Sequence, residues 1–172
     1  CLKKIASTLA KADMPVEWVT PMGLPIQQMY LARKTESFRL RLGNSSTLYR
    51  IYVTTVSDNE DVDRHKQSTG VAPNFIHSLD ATHLMMSINE ASRQGCVNFS
   101  TVHDSFGTSL GEAARLRRII RQELVRLYTE HDPLADFLRH AEELLGEPLD
   151  IELPEKGSLD INCILESKFV FH

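Results

Sequence analysis

The chain has 172 residues, 42% of them hydrophobic, and a formal net charge of -4. A chain of this size can bury roughly 70% of its unfolded surface, so one domain with a real core is expected. The acidic balance argues against a simple DNA-binding module, which would carry a basic excess. No apolar run approaches the roughly 18 residues that a membrane helix needs, and no membrane partner is expected. The three cysteines, Cys1, Cys96 and Cys163, fit neither a disulfide framework nor a zinc signature.

The chain opens on Cys1, directly inside Leu2, Ile5 and Leu9 at helical spacing, as though cut from something longer. The first helix should close at Asp13 and Pro15. Val16-Glu17-Trp18-Val19 and Ile26-Gln27-Gln28-Met29-Tyr30 flank a Pro21, Gly23, Pro25 turn and predict a hairpin. Strands are predicted over 37–42 and 48–56, with Asn44-Ser45-Ser46 between them, which makes 16–56 an antiparallel sheet segment. It bears Arg33, Lys34, Arg39, Arg41 and Arg50, with Arg64 and Lys66 beyond. Such a cluster suits either a phosphate-facing surface or a solvated strand face.

Residues 58–69 are polar and predict a linker or short helix. A long helix should follow over about 73–94, because Pro73 suits a first helical turn and Gly95 the residue just past an end. Residues 97–102 form a strand candidate, the His103-Asp104-Ser105-Phe106-Gly107 stretch a turn, and 108–110 the return strand. A second long helix is predicted over 112–131, with Leu116, Ile119, Ile120, Leu124, Leu127 and Tyr128 inward and Arg115, Arg118 and Arg121 outward. A third helix covers 134–145. A loop tail ends in Phe169-Val170-Phe171-His172. The fold class is α+β.

Two constellations can carry chemistry. Asp104 sits where a strand enters a tight turn, and a carboxylate on a short rigid hairpin suits a hard cation that prefers oxygen ligands. An aspartate in a turn also serves simply to accept bonds from nearby amides, and the residues alone leave both readings open. On the long helix, His77 and Asp80 share a face, whereas His83, six residues from His77, points elsewhere, so a two-histidine metal site fails on spacing. An Asp80–His77 hydrogen bond orienting the ring is the plain alternative.

The stretch 66–83, with Pro73-Asn74-Phe75-Ile76-His77-Ser78 at its centre, closely resembles the segment before the palm hairpin in single-subunit phage and organellar RNA polymerases. Thr101-Val102-His103-Asp104-Ser105-Phe106-Gly107-Thr108 resembles that hairpin itself. The resemblance continues through Trp18-Val19-Thr20-Pro21, Asp132-Pro133-Leu134-Ala135-Asp136-Phe137, Leu153-Pro154-Glu155-Lys156-Gly157, Ile164-Leu165-Glu166-Ser167 and the terminal Phe169-Val170-Phe171-His172, in colinear order.

The resemblance implies the carboxyl-terminal part of a right-hand polymerase: a sheet segment (16–56), a helix plus palm hairpin (71–110), and helices with a terminal tail (111–172). It implies that Asp104 is one of two aspartates holding a Mg2+ pair, the other lying upstream of this chain. His77, Asn74, Ser78 and His103 would meet nucleic acid near the RNA 3′ end, with Asp80, Ser105, Phe171 and His172 supporting them. The implied partners are DNA template, nascent RNA, NTPs and the remainder of the polymerase polypeptide. The implied setting is the infected host's cytoplasm, or a mitochondrial matrix or plastid. The phage branch fits better, because the hairpin reads His103-Asp104-Ser105-Phe106-Gly107, and organellar relatives tend to carry a larger aromatic in the last of these positions. A family A DNA polymerase is the nearest alternative, although Ser105 stands where that family usually has Glu. A His-Asp phosphohydrolase would need further well-spaced histidines, and a non-catalytic interaction module is the remaining reading.

Overall fold

The computed structural model of the chain describes residues 1–43, 47–56, 61–102 and 104–167. Helix α1 (Leu2–Lys11) buries Ile5, Ala6, Leu9 and Ala10, the 3.6-residue stripe read from the sequence. Asp13 ends it in the left-handed region, at φ 59, which aspartate tolerates better than most residues. Its carboxylate accepts from the Val62 amide at 3.2 Å. Strands β1 (Glu17–Val19) and β2 (Pro25–Gln27) form the expected hairpin, with Trp18 opposite Ile26.

Strands β3 (Arg33–Arg41) and β4 (Leu48–Val56) form a nine-rung antiparallel ribbon in which every residue is exposed. Their register puts Arg33, Arg39, Arg41, Arg50 and Tyr52 on one face and Phe38, Leu40, Tyr49, Ile51 and Val53 on the other. β3 starts four residues before the expected strand, because pairing persists down to Arg33 opposite Val56. The Asn44-Ser45-Ser46 connection lies outside the described residues.

Helix α2 (Arg64–Arg93) corrects the sequence reading most. It runs 30 residues and begins nine before Pro73, which sits inside it. Asp63 caps it, accepting from the Lys66 amide at 3.0 Å. Pro73 forfeits one backbone bond and its ring lies on the exposed side. Buried Gln67 ties the early turns to the chain after β2, so tertiary bonds override the break that Pro73 suggests.

Strands β5 (Ser100–Val102) and β6 (Ser105–Gly107) form a tighter hairpin than expected, with Val102 opposite Ser105. The return strand was expected over 108–110, but the Thr108 hydroxyl donates to the Asn98 carbonyl and Ser109 to the Glu112 carboxylate, which takes these residues out of the ladder. Helices α3 (Ala113–Glu130) and α4 (Pro133–Leu145) follow, the latter capped by Asp132 and closed by Gly146 at φ 73. A short α5 (Cys163–Glu166) comes last.

The main core joins α1, β1, α2 and α4 through Ile5, Leu9, Val16, Val71 and Leu79 around three rings. Trp18 meets Phe75 and Phe137 edge-on, with centroids 5.9 and 5.7 Å away. A second cluster, Ala91, Cys96, Leu116, Ile119 and Ile120, packs α2 against α3 and holds Phe99 and Phe106 at its margin. This small core fixes the hairpin that carries Asp104.

Candidate active site

Phe106 points from β6 into the second cluster, so the hairpin is pinned by its own side chain. His83 of α2 stands edge-on to that ring, with centroids 5.9 Å apart. Its Nε2 lies 2.8 Å from the Ile120 carbonyl oxygen, an acceptor only, so Nε2 carries the proton. Burial lowers the pKa of His83, while the Ile120 bond and then the Asp80 charge oppose that shift. A neutral ring held this way braces the hairpin against both long helices. The backbones also approach closely at Gly107, where an added Cβ would stand 3.3 Å from the Ser100 carbonyl oxygen.

Asp104 stands exposed between two hollows. One is walled by Leu79, Asp80, His83, Leu124 and Tyr128, the other by Ser105, Leu116, Arg117 and Arg121. Burial pushes the Tyr128 phenol up, and the Asp80 charge adds to that. Arg121, expected to point outward, is half-buried, and its Nε and Nη2 are shut off from solvent without a partner among the described residues.

The carboxylate of Asp104 suits a hard divalent cation: an accessible oxygen donor on a stiff two-strand scaffold, with the Asp80 carboxylate on the same hollow. Such an ion takes six or more oxygens, and among the described residues no three His, Cys, Asp or Glu side chains gather closely enough to hold one.

The remaining predicted residues divide. Asn74 and His77 lie one turn apart on α2, beside Gln28, Met29 and Tyr30, along a shallow open groove. His77 is exposed and Asn74 half-buried. Ser78, expected at the nucleic acid, is turned inward: its hydroxyl accepts from Trp18 Nε1 at 3.0 Å and donates to the Phe75 carbonyl at 2.7 Å. Ser105 opens β6 and is exposed. His103, Phe171 and His172 lie outside the described residues.

The sequence reading missed Gln28, Tyr30 and Gln67. Gln28 and Gln67 lie 39 residues apart and pair only once the hairpin docks on α2. The one hint was that Gln28 follows Ile26 by two residues and so shares its side of an extended segment.

Residues 2–150 match the family model of DNA-dependent RNA polymerase. The chain belongs to that family. It is 40% identical over 175 residues to the T7 RNA polymerase of Escherichia phage T7, covering 98% of this chain and 19% of the relative. It is 38% identical to the DNA-directed RNA polymerase of Enterobacteria phage K11, with the same two coverages. It is 34% identical to the chloroplastic/mitochondrial DNA-directed RNA polymerase 2B of Nicotiana tabacum, covering 99% of this chain and 16% of the relative. The chain thus spans about a fifth of the length of these single-subunit polymerases. Its mixed architecture of helices and small antiparallel sheets is α+β. Among the described residues, no helix is long and apolar enough to cross a membrane.

Proposed function

We propose that this chain is the carboxyl-terminal part of a right-hand RNA polymerase, contributing one side of a site that transfers nucleoside monophosphates from NTPs to an RNA 3′ end on a DNA template. The observation that carries the proposal is Asp104, exposed at the end of a hairpin whose base is clamped by Phe106 and His83. A catalytic carboxylate must be held within a fraction of an ångström, and this mounting supplies the stiffness.

In this reading Asp104 holds catalytic Mg2+ together with an aspartate from the rest of the polypeptide. When bound, the metal pair activates the RNA 3′-hydroxyl and steadies the departing pyrophosphate. Asp104 supplies oxygen donors and negative charge, and Asp80 adds charge to the same hollow. His77 and Asn74 lie against the minor groove of the RNA–template duplex, with His103 beside the primer end. Phe171 and His172 support the site, as does Ser105. Ser78 acts inward, holding α2 to Trp18. The segments 16–56, 71–110 and 111–172 then divide into sheet, palm hairpin and helical tail. The setting is a phage-infected cell or, for an organellar enzyme, a mitochondrion or plastid.

The test is extension of an RNA primer on a DNA template by the intact polymerase. Magnesium-dependent incorporation of NTPs is expected, with dNTPs used poorly. A preference for dNTPs would move the assignment to a DNA polymerase, and no incorporation of either would overturn it.

A further inference from the structure

Three side-chain amides run from the core to the surface between α2 and the chain after β2, and each bond in the series fixes the direction of the next. Gln67 is fully buried. Its Oε1 accepts from the Val16 backbone amide at 3.2 Å, and its Nε2 donates to the Gln28 backbone carbonyl at 2.8 Å. A backbone N–H can only donate and a carbonyl can only accept, so the Gln67 amide has one permitted orientation.

Gln28 is next. Its Nε2 lies 3.2 Å from the Gln67 backbone oxygen and 3.1 Å from Gln67 Oε1, both acceptors, so it must present its NH2 group inward and its Oε1 outward. That Oε1 meets Asn74 Nδ2 at 2.7 Å, and the second Asn74 Nδ2 hydrogen goes to the Tyr30 hydroxyl at 3.1 Å. Turning the Asn74 amide over would set its oxygen against the Gln28 oxygen at the same short distance, two acceptors with no proton between them. Both Asn74 hydrogens are thus spent inward. Its Oδ1 makes no hydrogen bond to any described residue and is not shut off from solvent.

We infer that the Gln67–Gln28–Asn74 series makes Asn74 Oδ1 an obligate acceptor, so that this point of the groove takes a hydrogen-bond donor from the minor groove of the bound duplex. Gln28, Gln67 and Tyr30 are the positioning residues. The inference rests on the polymerase reading, which lays a duplex along the Asn74–His77 face. Two groups in that groove donate: the guanine 2-amino group and the ribose 2′-hydroxyl. An asparagine free to turn would accept or donate indifferently. A wired one rewards the donor and leaves an acceptor facing an acceptor.

The test uses intact polymerase on four RNA primer–DNA template scaffolds: unmodified, 2′-deoxy in the last three primer positions, inosine for guanosine there, and both changes together. Wild type should extend the scaffold lacking the relevant donor about fivefold more slowly, the scale of one neutral hydrogen bond. The single-change scaffold that shows the loss identifies the donor. Asn74→Ala should be about fivefold slow on the unmodified scaffold and lose nothing further on the modified ones. Tyr30→Phe keeps the ring and removes one of the two Asn74 anchors. It should cut the wild-type discrimination to about twofold without slowing extension of the doubly modified scaffold, whereas a purely structural defect would slow all four alike. Equal wild-type rates on all four scaffolds, or undiminished discrimination in Asn74→Ala, would overturn the inference while leaving the polymerase reading intact. Unchanged discrimination in Tyr30→Phe would remove the positioning role. Failure to extend any scaffold would overturn the polymerase reading and this inference with it.

Discussion

Gly70 lies beneath the ring of Tyr30, so closely that a Cβ built on it would stand 2.8 Å from Tyr30 Cε2 and 3.3 Å from the hydroxyl oxygen. The helix thus carries a glycine in its interior to let an aromatic ring reach Asn74. Gly70→Ala sets two effects against each other. Alanine improves helix propensity by about 1 kcal/mol, and forcing the ring aside costs about 1–3 kcal/mol. A net loss of about 1 kcal/mol is expected in urea unfolding of this chain. Net stabilisation would mean that Tyr30 yields freely and does not anchor Asn74.

Ser78 separates packing from recognition. Its hydroxyl is buried between Trp18 Nε1 and the Phe75 carbonyl. Ser78→Ala leaves the indole N–H without its acceptor, at a cost of about 1–2 kcal/mol. Intact polymerase carrying the change should lose thermal stability yet extend primers within about twofold of wild type below its melting temperature. A large fall in rate without a fall in stability would return Ser78 to the nucleic-acid face.

Much of this architecture was legible because its determinants are local. The apolar stripe of α3, the stretch over 134–145 that becomes α4, and the turn between β1 and β2 all lie within a few residues of the structure they dictate. The start of α2 was misplaced although Asp63 offers a local cap to the Lys66 amide, because Pro73 reads as a first-turn residue and the bond from Gln67 to Gln28 across 39 positions, which ties residues 64–72 to the rest, is invisible to periodicity. The inward turn of Ser78 escaped for a related reason: the neighbouring His77 is exposed, and Trp18, which donates to the Ser78 hydroxyl, lies 60 residues away. The turn that carries Asp104 is a local feature, whereas the packing of Phe106 against its cluster and against His83 is tertiary.

His83 gives a pH dependence of defined sign. Burial lowers its folded pKa below the ordinary value of 6.5, so the unfolded chain takes up a proton before the folded one does. Stability from this group is intact above pH 6.5 and is lost as pH falls from there through the folded value. Glu123, whose pKa burial raises, works in the opposite sense, above its ordinary carboxylate range. The comparison of wild type with His83→Gln therefore isolates the histidine. Unfolding midpoints between pH 7.5 and 5.5 should fall more steeply for wild type than for the variant. Parallel slopes would show that His83 stays protonatable in the fold.

The isolated chain should not synthesise RNA. Asp104 and Asp80 are the carboxylates at the hairpin hollow, and no three candidate ligand side chains gather there among the described residues. A run-off assay on the purified 172-residue chain with template, NTPs and magnesium should give no transcript. Any magnesium-dependent product would mean that the chain completes a metal site by itself.

Asp104→Asn in the intact polymerase is the most direct test of the proposed site. The side chain is exposed at the hairpin turn, so the exchange should shift stability by no more than about 0.5 kcal/mol. Its effect on rate should be of another order. Replacing a metal-holding carboxylate with a neutral amide removes one strong electrostatic element from the transition state, about 3 kcal/mol or more, which corresponds to a loss of roughly two orders of magnitude in elongation rate. The pairing of the two measurements matters, because a destabilised hairpin would also slow elongation but would lower the melting temperature with it. A variant that melts with wild type and elongates at least a hundredfold more slowly places Asp104 at the reacting atoms. One that elongates within tenfold of wild type makes it an ordinary turn aspartate.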